Sequence, residues 1–327
     1  MSSVHWLSCV AMLLAITPAQ ADEAADPPVI REAVIQSSRD GSSQKVRCFV
    51  PEKRTGPTPL LVLLHTWSGN VDQDSFVPIC ARECQRLGWS LIHPDFRGQN
   101  FRPEACASEL AVQDVVDAVE WIESTTAIDV GRRYVTGASG GGHMTLIMAG
   151  RHPELWAAAS AWVPISDLAA WHGESVARKQ SYAQHLVQVC GGAPGTSPEI
   201  DAEYRQRSPL THLAGAKGLP LDINAGITDG HNGSVPISHA LRAFNLLAEG
   251  QGHGDVCFSP AEIAAMTVRQ SISPTDRARA PDELGRTHRV LVRRVAGPTR
   301  VTIFDGGHEG DLITAMRWMA GHRRSTD

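Results

Sequence analysis

Three residues of this chain stand where their side chains could do chemistry together. Ser139 lies in Gly137-Ala138-Ser139-Gly140-Gly141, a G-x-S-x-G run between a strand-like stretch, Arg133 to Thr136, and a helical stretch reaching Gly150. Such a run turns the chain sharply at a strand's end, and small flanking residues let neighbouring backbone pass close. Asp229 falls just past the carboxyl end of a strand over Leu219 to Ala225. His308, in Asp305-Gly306-Gly307-His308-Glu309-Gly310, separates a strand over Arg300 to Phe304 from a helix over Leu312 to Ala320. Alone, G-x-S-x-G is a common turn; three such residues, each at a strand's carboxyl end, point to acyl transfer. Ser139 would attack a carbonyl, His308 would take and return its proton, and Asp229 would orient and stabilise the imidazolium. The developing oxyanion needs two backbone donors, and the expected ones are the N–H groups of Gly140 and of Trp67, in His65-Thr66-Trp67-Ser68-Gly69. Trp67, Trp162 and Trp171 lie on or near segments leaving the same edge and are candidates to line an acyl or sugar pocket.

Other residues compete for these roles. Asp222 falls inside a predicted strand and should point into packing; Asp167 follows the preceding strand, a position that can also hold the acid. His65, His93, His231 and His239 read as structural, and their spacing matches no strong metal-ligand pattern, so no metal is expected. No strand-linked G-x-G-x-x-G or Walker motif appears, and no cofactor is expected.

The elements that must position the three residues alternate. Arg31 to Gln36 and Lys45 to Val50 flank Asp40-Gly41 as a hairpin. Leu60 to Leu64 is a continuous apolar run, as in a strand buried on both faces of a parallel sheet. A helix follows over Ser75 to Leu87, then a strand over Trp89 to His93, and Ser108 caps a helix carrying Val112, Val115, Val119 and Ile122. Ala157 to Val163 is a further strand and Ile237 to Ala248 a further helix. The fold class is α/β, a mostly parallel doubly wound sheet flanked by helices. Ser166 to Gly218, after the sixth strand, and Gly250 to Pro298, before the last, read as insertions rather than separate domains. Within the second, Ser259 to Gln270 can form a helix, and the segment could pack beside the His308 loop and limit substrate size.

Composition narrows the function classes. A chain of 327 residues, 42% hydrophobic and 20% charged, is ordinary globular material, so disordered and coiled-coil readings fall away. A formal charge of −5 with no Lys/Arg-rich run gives no electrostatic support for a nucleic-acid or anionic-membrane partner. Residues 1–21 hold no Asp, Glu, Lys or Arg, an apolar run from Trp6 to Ile16, and Ala19-Gln20-Ala21 before Asp22. That pattern implies a cleaved signal peptide, export to the periplasm or exterior, and one domain over 22–327. Six cysteines remain after cleavage, and an even count in an exported chain permits disulfides. Cys106 and Cys190 both leave the carboxyl edge of the sheet, so a bridge between them is expected.

The chain resembles the catalytic domain of the prolyl oligopeptidase family of α/β hydrolases and, beyond it, the dienelactone-hydrolase-like and acetyl-esterase branches. The resemblance covers roughly residues 45–320. It rests on His93-Pro94-Asp95-Phe96-Arg97-Gly98, on Gly137 to Gly141, on Arg207-Ser208-Pro209-Leu210, on Asp229 with Val235-Pro236, and on Gly306-Gly307-His308. It implies the α/β-hydrolase fold and a Ser139-Asp229-His308 triad. The chain departs from the family at Gly230 to Ser234, inserted before Val-Pro, in the long segment before His308, and at Thr66, where the oxyanion loop usually has glycine. A propeller needs roughly 160 residues, and only the leader and a hairpin precede the first core strand. The expectation is therefore an exported serine hydrolase of carboxylic esters, sugar O-acyl groups among them. A small serine peptidase and a non-catalytic binding protein on the same fold are the alternatives.

Overall fold

The computed structural model describes residues 26–281, 283 and 285–325; the leader expected over 1–21 lies outside the described residues. Among the described residues nine strands form one sheet: β1 (Arg31–Gln36), β2 (Ser43–Phe49), β3 (Thr58–Leu64), β4 (Ser90–Pro94), β5 (Ile128–Ala138), β6 (Ala158–Trp162), β7 (Leu221–Gly226), β8 (Val290–Ala296) and β9 (Thr299–Phe304). Their spatial order is β1-β2-β4-β3-β5-β6-β7-β9-β8. Pairing is parallel from β4 through β3, β5, β6 and β7 to β9. It is antiparallel at the two margins, where β1 and β2 lead into β4 and β8 closes on β9. All the strand ends that carry chemistry therefore face one edge.

Among the described residues ten α-helices accompany the sheet: α1 (Val77–Leu87), α2 (Glu109–Thr125), α3 (Gly140–Arg151), α4 (Leu168–Ala177), α5 (Tyr182–Cys190), α6 (Pro198–Gln206), α7 (Ser238–Gly250), α8 (Pro260–Arg269), α9 (Pro274–Arg279) and α10 (Leu312–Met319). Every residue of β3 is buried, and the strand's alternation divides them between two cores. Leu60, Val62 and Leu64 share one core with Val115 of α2, Met144 of α3 and Phe244 of α7. Leu61 and Leu63 share the other with Cys80 and Cys84 of α1 and Met316 of α10. This two-sided burial is what an unbroken apolar run predicts. Local signals set the ends: Ser108 Oγ accepts from Ala111 N–H to start α2, and Gly88, at φ 69°, ends α1 in the left-handed region.

The two insertions take different forms. Helices α4 to α6 lie between β6 and β7 and bring a third, smaller core together, in which Trp67, Trp171, Cys106 and Cys190 join Leu186 and Val235. The expected Cys106–Cys190 bridge is corrected here: all six cysteines among the described residues are free thiols. Both are buried as small apolar groups, and burial raises both thiols, Cys190 to about 12. The second insertion also contributes a strand, Val290–Ala296, that the sequence reading did not place. Its alternation is interrupted by Arg293 and Arg294, whose charges are met by Glu283 at 2.6 Å and by Asp276 at 2.9 Å.

Candidate active site

Three strand ends build the site. At the end of β5 the chain turns directly into α3, and Ser139 takes φ 59° and ψ −117°, a strained backbone for a residue with a side chain. The turn is possible because its neighbours lack Cβ atoms: one added at Gly137 would come within 2.7 Å of the Gly141 carbonyl carbon. Past β7 and β9, two loops are stitched together, Thr228 N–H and Oγ1–H both donating to the Gly306 carbonyl at 3.0 and 2.9 Å. That stitching sets Asp229 beside His308.

The structure brings the three predicted residues into one line. His308 Nε2 lies 2.9 Å from Ser139 Oγ, and His308 Nδ1 lies 2.7 Å from Asp229 Oδ2. The carboxylate is buried, and its Oδ1 accepts from the N–H groups of Gly230 and Val235 at 2.8 and 3.1 Å. The segment Gly230 to Ser234 thus wraps the acid instead of displacing it. With Nδ1–H donated to Asp229, Nε2 is left as the acceptor facing Ser139, a tautomer assigned from these partners.

Gly140 opens α3, so its N–H precedes the first bond within the helix. Backbone of Trp67 lies directly against it: a Cβ on Gly140 would collide with the nitrogen and Cα of Trp67. The backbone of the two expected oxyanion donors is therefore adjacent at the Ser139 turn.

The other predicted residues lie elsewhere. Asp167 caps α4 by accepting from Ala170 N–H, and Asp222 is buried in β7 against Arg300 at 2.6 Å. Burial pushes the Asp222 carboxyl up, but Arg300 outweighs it and the group ends below its ordinary value. His65 stacks on Phe96 at 3.8 Å, His93 donates to the Leu63 carbonyl, His231 meets the Thr267 carbonyl, and His239 pairs with Glu174 at 2.9 Å. Trp67, Trp162 and Trp171 are not pocket walls as expected: they are 2%, 1% and 0% exposed. Trp67 and Trp171 pack edge to face, and Trp162 packs on Phe304, so their surfaces are spent on one another and on the cores. Among the described residues, no group of three His, Cys, Asp or Glu could hold a metal ion.

Sequence reasoning missed the supports from α4. Trp171 Nε1–H donates to the Ser234 carbonyl at 2.8 Å, and Arg178 donates to the Gly230 and Ser234 carbonyls at 2.7 and 3.0 Å. It also missed Ser234 itself, whose Oγ lies 3.2 Å from His308 Nε2. The one signal available was its place at the end of the inserted segment.

Residues 94–262, just over half of the chain, match the prolyl oligopeptidase family, a stretch that includes Ser139 and Asp229. The chain belongs to the prolyl oligopeptidase family. It has the α/β-hydrolase fold. Acylamino-acid-releasing enzyme 2 of Oryza sativa subsp. japonica is 27% identical over 236 residues, 68% of this chain and 29% of that protein. The chain thus spans less than a third of that relative's length. Feruloyl esterase B of Talaromyces funiculosus is 25% identical over 178 residues, 50% of each. Among solved structures, the Pyrococcus horikoshii acylaminoacyl peptidase aligns at 18% identity with a TM-score of 0.57, over 68% of this chain and 35% of its own. An acetyl xylan esterase from Paenibacillus sp. R4 aligns at 16% identity with a TM-score of 0.61, over 92% and 86%.

Proposed function

We propose that this family member hydrolyses carboxylic esters, sugar O-acyl groups among them, through an acyl-enzyme on Ser139. The observation that carries the reading is the run from Ser139 Oγ to His308 Nε2 at 2.9 Å and from His308 Nδ1 to Asp229 Oδ2 at 2.7 Å. In this reading Oγ adds to the ester carbonyl as its proton passes to Nε2, and Asp229 stabilises the resulting imidazolium. The N–H groups of Gly140 and Trp67 take the oxyanion, whose charge they meet without reorganising. Nε2–H then protonates the departing alcohol oxygen, and a water repeats the sequence to release the acid. The feruloyl and acetyl xylan esterases supply the support for an ester, since both are named for that bond. A second reading, release of an acylated amino acid from a peptide, is favoured by the rice relative's 27% identity.

A fluorophosphonate probe and a substrate screen test both readings. The probe should label the wild-type protein at Ser139 and leave Ser139→Ala unlabelled. Short acyl esters and acetylated sugars should turn over faster than N-acyl amino-acid amides or Pro- and Ala-terminated peptide amides. A preference for the amides would move the assignment to a peptidase, and an unlabelled wild type would remove the catalytic reading. We also propose export; amino-terminal sequencing of secreted material should start at Asp22, and a start at Met1 would overturn it.

A further inference from the structure

Two hydroxyls, not one, reach the catalytic-side nitrogen of His308. Ser139 Oγ lies 2.9 Å from Nε2 and Ser234 Oγ lies 3.2 Å from the same atom. Ser234 is nearly buried, and its backbone is fixed from the far side, where Trp171 and Arg178 both donate to its carbonyl. Its neighbour Gly233 packs so tightly between Asp229 and His308 that a Cβ there would lie 2.6 Å from the His308 Cβ. The hydroxyl is therefore held at the imidazole by a rigid loop end. It is not a side chain swinging on a mobile one.

A neutral imidazole that donates Nδ1–H to Asp229 offers a single lone pair at Nε2, and two hydroxyls cannot both donate to it well. The balance changes once Ser139 has given up its proton. Nε2 then carries a hydrogen, and Ser139 Oγ is committed to the new bond with the carbonyl carbon. Ser234 Oγ keeps both its lone pairs. In the acyl-enzyme Nε2 is neutral again, Ser139 has no hydrogen to donate, and Ser234 is the hydroxyl that still holds the ring.

We propose that Ser234 is a positioning residue that keeps the His308 imidazole in place after Ser139 has reacted. Its oxygen shares Nε2–H with the departing group in the tetrahedral intermediate, and its hydrogen holds Nε2 in the acyl-enzyme until water arrives. No proton is transferred through Ser234: the one taken from Ser139 passes from Nε2 to the leaving oxygen. The inserted segment Gly230 to Ser234 thus has a task, delivery of this hydroxyl. The inference rests on the reading of His308 as general base.

The test compares Ser234→Ala and Ser234→Thr with the wild type on an activated aryl ester, using steady-state and burst kinetics. Ser234→Ala should lower kcat about tenfold, the rate equivalent of one ordinary hydrogen bond, and KM should fall with it because deacylation is the slowed step. The acyl-enzyme should accumulate, giving a burst larger than wild type, and Ser234→Thr should restore kcat. Ser234→Cys, a poor hydrogen-bonding match of similar size, should show the same loss and serves if the alanine variant fails to fold. Wild-type kcat and burst in Ser234→Ala, or a threonine variant no better than alanine, would overturn the proposal. Fluorophosphonate labelling separates the two levels: an unlabelled wild type sinks the general-base reading, whereas labelled variants with unchanged turnover sink Ser234 alone.

Discussion

The indole of Trp171 stands edge-on to that of Trp67, ring centroids 4.7 Å apart and planes at 77°. Through its N–H the same ring holds the Ser234 carbonyl. One side chain of α4 thus braces both the loop that carries Trp67 and the loop that wraps Asp229. Trp171→Ala should cost about 3–5 kcal/mol by opening a cavity, read by urea unfolding. Trp171→Phe keeps a ring but drops the N–H and should cost about 1 kcal/mol, since Arg178 still serves that carbonyl. An unchanged unfolding midpoint in the alanine variant would contradict the bracing role.

Ser139→Ala and His308→Ala should each abolish ester turnover while leaving the unfolding midpoint near wild type, because the residues act as one unit. Asp229→Asn should lower kcat by ~10⁴ through the wrong imidazole tautomer. Turnover of Asp229→Asn within tenfold of wild type would show that another group orients His308.

Acid should destabilise the protein through two buried histidines that are not members of the triad. Burial holds His93 and His143 at about 4, below the ordinary 6.5. Between those values the unfolded chain binds the protons and the folded chain does not. Stability is therefore full above pH 6.5 and lost as pH falls toward 4, by up to roughly 3 kcal/mol for each group. His143 meets the Arg207 carbonyl through Nε2, a bond a glutamine amide can replace. Thermal midpoints from pH 7 to 4 should fall less steeply in His143→Gln, and parallel curves would refute the assignment.

The residues legible before folding were those whose role is declared locally. Ser139, Asp229 and His308 each follow an apolar run and a turn, so their strand-end positions could be read one by one. Strand β8 escaped because Arg293 and Arg294 interrupt its apolar pattern, and their partners Glu283 and Asp276 lie outside that strand. The tryptophans were misjudged for a related reason. An indole near the catalytic edge suits a pocket wall or a core equally well; the fold of α4 over that edge decides it for Trp67 and Trp171, and packing on Phe304 decides it for Trp162. Cys106 and Cys190 share that core, as their common edge of the sheet suggested, yet proximity alone did not dictate a bond.

Arg97 links the hairpin to α2. It meets Asp114 at 2.6 Å and Asp40 at 2.8 Å, and the Asp114 side chain is wholly buried. Burial pushes the Asp114 carboxyl up even with this partner present. Arg97→Ala should cost about 3–5 kcal/mol by stranding that carboxyl, and Asp114→Asn in the same chain should recover part of the loss. Denaturant titration of the three variants checks this; additive losses would contradict the pairing.

The expected packing of the second insertion beside His308 can be tested at one contact. His288 Nε2 lies 2.6 Å from Glu309 Oε2, next to His308 in the chain, and its ring stacks on Phe304. Removing the whole segment would also take Phe258 and Met266 out of the main core, so a point change is cleaner. If this contact limits access, His288→Ala should raise turnover of bulky esters severalfold relative to acetyl esters. An unchanged ratio would make the segment scaffold.

Strand β9 lies inside the sheet, between β7 and its predecessor β8, although it is made after both. During synthesis Ser139 exists 169 residues before His308 does, and β8 has no strand to pair with until β9 arrives. A nascent chain therefore carries an idle serine, because the base that would activate it travels on the strand that completes the sheet. Completion of folding and the onset of reactivity become one event, and a chain cut short before β9 can have neither.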